Sequence, residues 1–574
     1  MATAPQQAAL DWKPAVVVLF CAGVLALPLA VRGASCGHDF DFHLESWMDA
    51  AQSWRAGVVY PHWAASANYG AGEPRFVFYP PLSWMLGAAL GLVLGWHAAP
   101  VVLTWIALAA AGLSMYRLAR EWSDTGASAL GACIYIANPY AMFVAYERGA
   151  YGELLAAVWL PLILLFALGR RRSIAGLALA VAAVWLTNAP TAVMACYMLA
   201  AVILIECLQA QRWWPLVPAA AGTVLGCGLA AFYIVPAAYE RGWVEIERAI
   251  GPGMRVEDSF LFGRTGEPFH DQVLRTASWI TVFFFVTIVV TFFMAGGRSG
   301  RRRLVYSLGA GAALVFFLLL PWSSFLWRIA PELRFLQFPW RWLLVCELIL
   351  ALLIALAVSP SPKASPKPKW TLAISASAAL TLAMALLAAS VFWQICDEED
   401  NISAQLATFH AGAGFEGTDE YTPSGADNSI IQRGLPRVRV LASPDTDEAP
   451  SSGDPALQNL QYAPSDSVLP AEITIRSWLP ERASVEVRSS SPAFAVLKLM
   501  DYPGWRVRVN GQKLRDRLHR EDGLLVVPIP SGTSRVEVSY EAMKDAWAGR
   551  IISVACSFLW LGTALGRRNP IRLS

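Results

Sequence analysis

The chain has 574 residues, 56% hydrophobic and 15% charged, with a formal net charge of +2 and a mean hydropathy of +0.44. Soluble domains are about a quarter charged, so a soluble enzyme is excluded; recurring apolar runs of spanning length identify a polytopic helical membrane protein. Lys and Arg fall in short clusters and form no basic stripe, so no nucleic-acid partner is implied.

The N-terminal stretch runs apolar to Val31 but lacks a basic n-region and a small-x-small cleavage site before Arg32, which predicts a retained first helix. Runs of about 16 to 24 residues predict twelve spans, near 14–31, 98–118, 126–144, 153–168, 172–188, 190–208, 215–238, 278–295, 304–321, 340–358, 370–393 and 547–566. A thirteenth run, 82–96, is short and follows Pro80-Pro81. The clusters Arg117/Arg120, Arg170/Arg171/Arg172, Arg298/Arg301/Arg302/Arg303, Lys363/Lys367/Lys369 and Arg567/Arg568 are all cytoplasmic only if this run does not cross. It is therefore predicted to lie at the outer face, where Gly87, Gly91 and Gly95 admit another helix closely. Residues 32–96 and 397–546 then face outward, with smaller outer loops at 146–152, 188–190, 239–277 and 322–339.

The Pro-rich stretch 359–369 is a cytoplasmic linker between a body, 1–358, and a C-terminal unit. That unit comprises the span 370–393, a β-rich outer domain over 397–546, and the last helix with a short tail, 547–574. Up to Pro464 the outer domain is polar and broken. Beyond it, short alternating or β-branched runs at 471–475, 484–488, 493–500, 505–509, 524–529 and 535–540, with Asn510-Gly511 suited to a tight hairpin, predict a small β-sandwich. Tyr502 and Trp505 could stack on sugar or simply pack at a strand start. The nine Cys show no metal spacing; Cys36 and Cys396 lie near outer ends of spans and could meet in an oxidising compartment.

There is no Walker loop, GxGxxG after a strand, HExxH or GxSxG. The densest polar cluster is His38-Asp39-Phe40-Asp41-Phe42-His43, directly after the first helix. Asp39 and Asp41 share a face if the segment is extended, Asp39 and His43 if it is helical. Either arrangement could build a base or a divalent-ion site, with Asp39 and His43 as ligands to Mg2+ or Mn2+. Alternatively Asp39 caps an amphipathic helix over 40–57 whose Leu44, Trp47, Met48 and Trp54 lie on the bilayer interface. Arg75, Arg334 and Arg341 stand on outer loops against the charge bias, where they could clamp a lipid phosphate or pair internally with Glu73 or Glu332.

An acidic Asp-x-Asp in the first outer loop followed by a multi-helix body resembles the GT-C superfamily of integral-membrane glycosyltransferases. More narrowly, 38–42, Gly72-Glu73-Pro74-Arg75-Phe76 with Phe78-Tyr79-Pro80-Pro81, Gln337-Phe338-Pro339-Trp340-Arg341 and Glu416-Gly417-Thr418-Asp419-Glu420-Tyr421-Thr422-Pro423 are similar to the bacterial membrane proteins labelled 6-pyruvoyl-tetrahydropterin synthase-related. That label names no activity here, because the chain lacks the His-ligated zinc site of the soluble pterin synthases. The resemblance implies transfer of a sugar from a polyprenyl-phosphate carrier to a glycan, lipid or protein acceptor at the outer face of the cytoplasmic membrane. Asp39 would be base or metal-binding acid beside Asp41. Glu147 or Glu153, where relatives carry a second acid, would assist. Arg75, Tyr79, Arg148, Arg334 and Arg341 would bind substrate. A transporter or lipid flippase, or a non-catalytic scaffold of envelope polysaccharide assembly, is the competing reading; transporters tend to carry charges at mid-helix, whereas the polar residues here gather on one face.

Overall fold

The structure, a computed structural model, describes residues 12–170, 172–251, 253–296, 302–359, 370–447 and 460–565. The linker 360–369, Arg171, Arg298, Arg301 and the tail beyond 565 lie outside the described residues. Each of the twelve predicted runs is helical, as an apolar chain must be where the bilayer offers its amides no partner. Among the described residues nine helices are long and apolar enough to cross: Trp12–Arg32, Ala99–Ala119, Thr125–Glu147, Tyr151–Leu168, Ala189–Ala210, Pro268–Gly296, Pro339–Val358, Thr371–Phe392 and Lys544–Leu565.

The other three runs depart from straight spans. Leu216–Leu229 and Ala231–Trp243 are bent by 75°, and Arg302–Leu318 and Pro321–Ile329 by 93°. At the second break Pro321 cannot continue a helix, and Leu320 before it is extended, with φ −112° and ψ 150°. Ile174–Thr187 has 14 residues, about 21 Å. It stops where Asn188 turns to cap the next helix through Thr191 N.

The bundle ends are chemically distinct. At one end Glu121 accepts from Arg170 N, Arg172 pairs with Glu206 and Gln209 bonds Ser307. At the other, the disulfide Cys36–Cys396 joins the exits of the first helix and of Thr371–Phe392, and Arg32 lies 3.9 Å over the Trp393 ring. Trp370–Leu387 lies against the first helix and Thr125–Ile136, and Lys544–Leu565 against Ala231–Glu240.

The short thirteenth run is the helix Pro81–Leu94, packed on Phe40–Arg55. Gly87 is required, since a Cβ there would collide with the Trp47 indole; Gly91 makes room for Trp96, while Gly95, with φ +89° and no neighbour within 4 Å, ends the helix and packs on nothing. Leu44, Trp47 and Met48, expected on the bilayer interface, are fully buried inside the protein, because Pro81–Leu94 and its neighbours cover that face.

The C-terminal domain is the predicted sandwich. Its strands are β1 Val438–Leu441, β2 Glu472–Leu479, β3 Arg482–Ser489, β4 Ala493–Met500, β5 Trp505–Val509, β6 Gln512–Lys513, β7 Leu524–Ile529 and β8 Gly532–Tyr540. They form a sheet ordered β1-β4-β7 and one ordered β2-β3-β8-β5-β6. Asn510 (φ 51°) and Gly511 (φ 82°) make the hairpin turn between β5 and β6. β1 lies in the stretch expected to be irregular. Tyr502 and Trp505 are buried, which corrects the sugar-stacking alternative: Trp505 packs on Trp63 and Tyr502 donates to Glu240 at 2.6 Å, docking the sandwich on the body.

Candidate active site

The segment after the first helix is fixed residue by residue against two others. Ser35 Oγ donates to Tyr146 O at 2.7 Å and accepts from Gln394 N at 2.8 Å. His38 N donates to Glu147 O at 3.2 Å and Asp39 N to Arg148 O at 2.7 Å. Between them a Cβ on Gly37 would stand 2.6 Å from Glu147 O and 2.7 Å from Arg148 C, backbone atoms that cannot yield, so only glycine fits.

Asp39 is thereby delivered to the N-terminus of Phe40–Arg55, yet its side chain makes no capping bond. The carboxylate instead lies 3.3 Å from Arg148 Nη2 and is 41% exposed, so the capping alternative fails. Arg148 sits just after the π-helical turn Phe143–Glu147. Its Nη1 donates to Glu153 Oε2 at 2.5 Å, Tyr140 donates to the other oxygen of Glu153 at 2.5 Å, and Arg341 Nε stands 3.6 Å from Oε2. Two guanidiniums thus share one buried carboxylate. Arg341 is the weakly held one: its Nε is buried and has no hydrogen-bond partner among the described residues. Such a group favours an additional acceptor, since a buried donor left unpaired costs about 1–3 kcal/mol.

The remaining predicted residues separate. Glu147 is buried and makes no side-chain hydrogen bond or ion pair among the described residues; of the two glutamates it is Glu153 that meets Arg148. Asp41 borders the site, its carboxyl pushed up to about 6 by burial and then by Asp400. His43 is buried, 3.4 Å from the Tyr79 hydroxyl with its ring 5.3 Å from that of Tyr151; burial takes its imidazole down to about 4, so it is neutral. Tyr79 stays at the site, since a Cβ on Gly152 would lie 3.1 Å from its hydroxyl and 3.3 Å from Asn188 Nδ2. Arg75 is corrected from phosphate clamp to internal ion pair: Nε meets Glu73 at 2.6 Å, Nη1 meets Ser46 at 3.0 Å, and Phe42 lies 4.5 Å beneath. Arg334 is also corrected, being exposed and paired with Glu247 at 2.9 Å. Among the described residues no ion pair joins it to the Glu153 network.

The expected metal ligands do not assemble. Among the described residues no three His, Cys, Asp or Glu side chains are grouped to hold an ion; Asp39 faces Arg148, and His43 is buried among aromatic rings.

Sequence reading missed Tyr140 and the buried pair Asn138–Glu347, 2.9 Å apart; nothing in their spacing points to Glu153. It also missed the use of the 416–423 motif. Thr418 N donates to Glu73 at 2.8 Å, and Tyr421 stacks on Phe78 with ring centroids 5.7 Å apart. Two of the quoted motifs are thus a clasp between body and C-terminal unit. Beside that clasp is a cavity of about 410 Å³ bounded by Phe78, Tyr233, Arg241, Glu332, Glu420 and Tyr421. Burial raises the Glu420 carboxyl to about 7.

A multi-pass helical body with a docked β-sandwich and a charged network at one end of the bundle defines the class. The model of the 6-pyruvoyl-tetrahydropterin synthase related domain, a membrane-protein family, matches residues 76–396; the chain belongs to that family. No curated protein matches it. Among solved structures it is similar to the arabinofuranosyltransferase AftD from Mycobacteria, with 20% identity, TM-score 0.40, and 67% of this chain and 28% of that one covered. It is also similar to the Archaeoglobus fulgidus oligosaccharyltransferase in the apo form, with 12% identity, TM-score 0.44, and coverage of 72% and 61%. A third is the same organism's oligosaccharyltransferase AglB with an inhibitory peptide and a dolichol-phosphate, with 14% identity, TM-score 0.37, and coverage of 72% and 61%. The chain spans less than two thirds of each.

Proposed function

We propose that the protein is a GT-C-type glycosyltransferase that moves a hexosyl or pentosyl group from a polyprenyl-phosphate donor to a glycan, lipid or protein acceptor. The reaction takes place at the outer face of the cytoplasmic membrane. One observation carries the reading: a half-exposed carboxylate, Asp39, that caps nothing stands beside a buried guanidinium, Arg148, and a partly buried one, Arg341, whose Nε has no acceptor among the described residues. In the reaction the acceptor oxygen bonds to the anomeric carbon as the bond from that carbon to the phosphate oxygen breaks. Asp39 takes the acceptor's proton. Arg341 and Arg148 meet the charge left on the polyprenyl phosphate. The disulfide and the basic residues at the opposite bundle end support the outer orientation.

The test is sugar transfer by the purified full chain from a polyprenyl-phosphate sugar, with and without chelator. Transfer that survives chelator and is lost in Asp39→Asn is expected. Translocation of a lipid phosphate across proteoliposomes without transfer would instead establish the transporter reading, and neither activity the scaffold.

A further inference from the structure

A second cavity, of about 130 Å³, lies where the sandwich meets the outer loop of the body, and shares no residue with the Glu153 network. That volume is about ten times what one water requires. Arg437, Arg482 and Lys498 line it together with Trp63, Trp478 and Trp505, and among the described residues no acid does. Lys498 lies on β4 and is only 7% exposed. Its side chain makes no hydrogen bond or ion pair among the described residues, and its ammonium faces the Cβ-free side of Gly70, where a Cβ would stand 3.3 Å away. Arg437 lies 5.6 Å over the Trp478 ring. In the same wall the buried indole N–H of Trp505 has no acceptor among the described residues.

A buried ammonium without a counter-charge is costly, and here its neighbours are themselves cations. Burial, then Arg437 and Arg439, accordingly push the Lys498 amine below its ordinary range. The cavity therefore offers charge and donors with nothing to receive them, next to a partly exposed aromatic face. What completes it must bring oxygen acceptors, negative charge and a flat apolar surface. We propose that this cavity binds an anionic saccharide, with the carboxylate or phosphate oxygens on Lys498 and the adjacent arginines and the sugar ring along Trp478. The site is independent of whether the Glu153 network transfers sugar.

The test is titration calorimetry, with tryptophan fluorescence, on the full chain in detergent, using glucuronate, glucose 6-phosphate, glucose and inorganic phosphate. Saturable binding of glucuronate or glucose 6-phosphate, none of glucose, and at least tenfold weaker binding in Lys498→Met with an unchanged or higher melting temperature are expected. Arg482→Gln, on an exposed side chain, provides a second variant should Lys498→Met fail to fold, and should weaken binding at least threefold. Absence of saturable binding by either sugar anion, or undiminished binding in both variants, overturns the proposal. Inorganic phosphate binding as tightly as the sugar anions would overturn the saccharide assignment.

Discussion

Replacing Asp39 with Asn separates chemistry from architecture, because the two contributions differ in size at this position. The carboxylate is 41% exposed and 3.3 Å from Arg148; an ion pair this open contributes about 0.2–1 kcal/mol after solvent screening. Arg148 keeps its 2.5 Å contact to Glu153, so no buried charge is orphaned and the melting temperature should barely move. As a base, however, Asp39 contributes about a hundredfold or more in rate, and Asn cannot take a proton. Glu153→Gln is the reverse control: it leaves Arg148 and Arg341 without their shared counter-charge, which costs about 3–5 kcal/mol. Sugar transfer and thermal melts of both variants should therefore diverge. A fully active Asp39→Asn would refute the base assignment, and a melt lowered as far as that of Glu153→Gln would refute the geometry.

Arg341→Lys keeps the charge but loses the planar fork, so donor affinity should weaken more than folding; unchanged donor affinity in Arg341→Ala would remove the clamp. Gly37→Ala places a methyl group against the 147–149 backbone, and should cost about 1–3 kcal/mol while displacing Asp39 and lowering transfer. A topology reporter after Trp96 should report the outer face and one after Arg171 the cytoplasm; a cytoplasmic signal at Trp96 would overturn the assignment of Pro81–Leu94. Asp49 is 1% exposed, and burial, only partly offset by bonds from Ser66, raises its carboxyl from 3.8 to about 6. Stability held by its protonated form is full below pH 3.8 and lost as pH rises through 6, about 3 kcal/mol in all. Asp49→Asn should abolish that slope in melts between pH 4 and 7.

The helical runs and the sandwich strands were legible because each is set by local composition: spanning-length apolar runs, alternation over 484–488, and an Asn-Gly turn. The bends were less so, since Pro321 is visible in the sequence but its 93° consequence depends on what the two segments pack against. Asp39, Arg148 and Arg341 were found as charges on outer loops. Which glutamate joins them was not, because Glu147 ends a π-turn and Glu153 follows a left-handed Gly149 (φ +64°), and only that local backbone decides which carboxylate meets Arg148. Arg75 misled for the same reason. Of its partners only Glu73 is nearby in sequence; Ser46 is 29 residues away, and Thr418, 3.4 Å from Nη2, is 343.

The contrast between Arg75 and Arg341 also bears on function. Arg75 is buried and Arg341 partly so, and both stand out in the sequence as cations on the outer side. Arg75 is enclosed by two acids, a serine and an aromatic ring, so any phosphate reaching it would have to displace partners worth more than the new contact. Arg341 shares its nearest carboxylate with a second guanidinium at better distance, 2.5 Å against 3.6 Å, and its Nε donates to nothing among the described residues. A phosphate arriving there gains a charge-assisted donor without breaking an existing hydrogen bond to it. Arg341 is therefore the arginine whose replacement should be felt in donor binding, and Arg75→Met the one felt in folding. Were Arg75→Met to fold normally and lose donor affinity, the division of roles drawn from these two environments would be wrong.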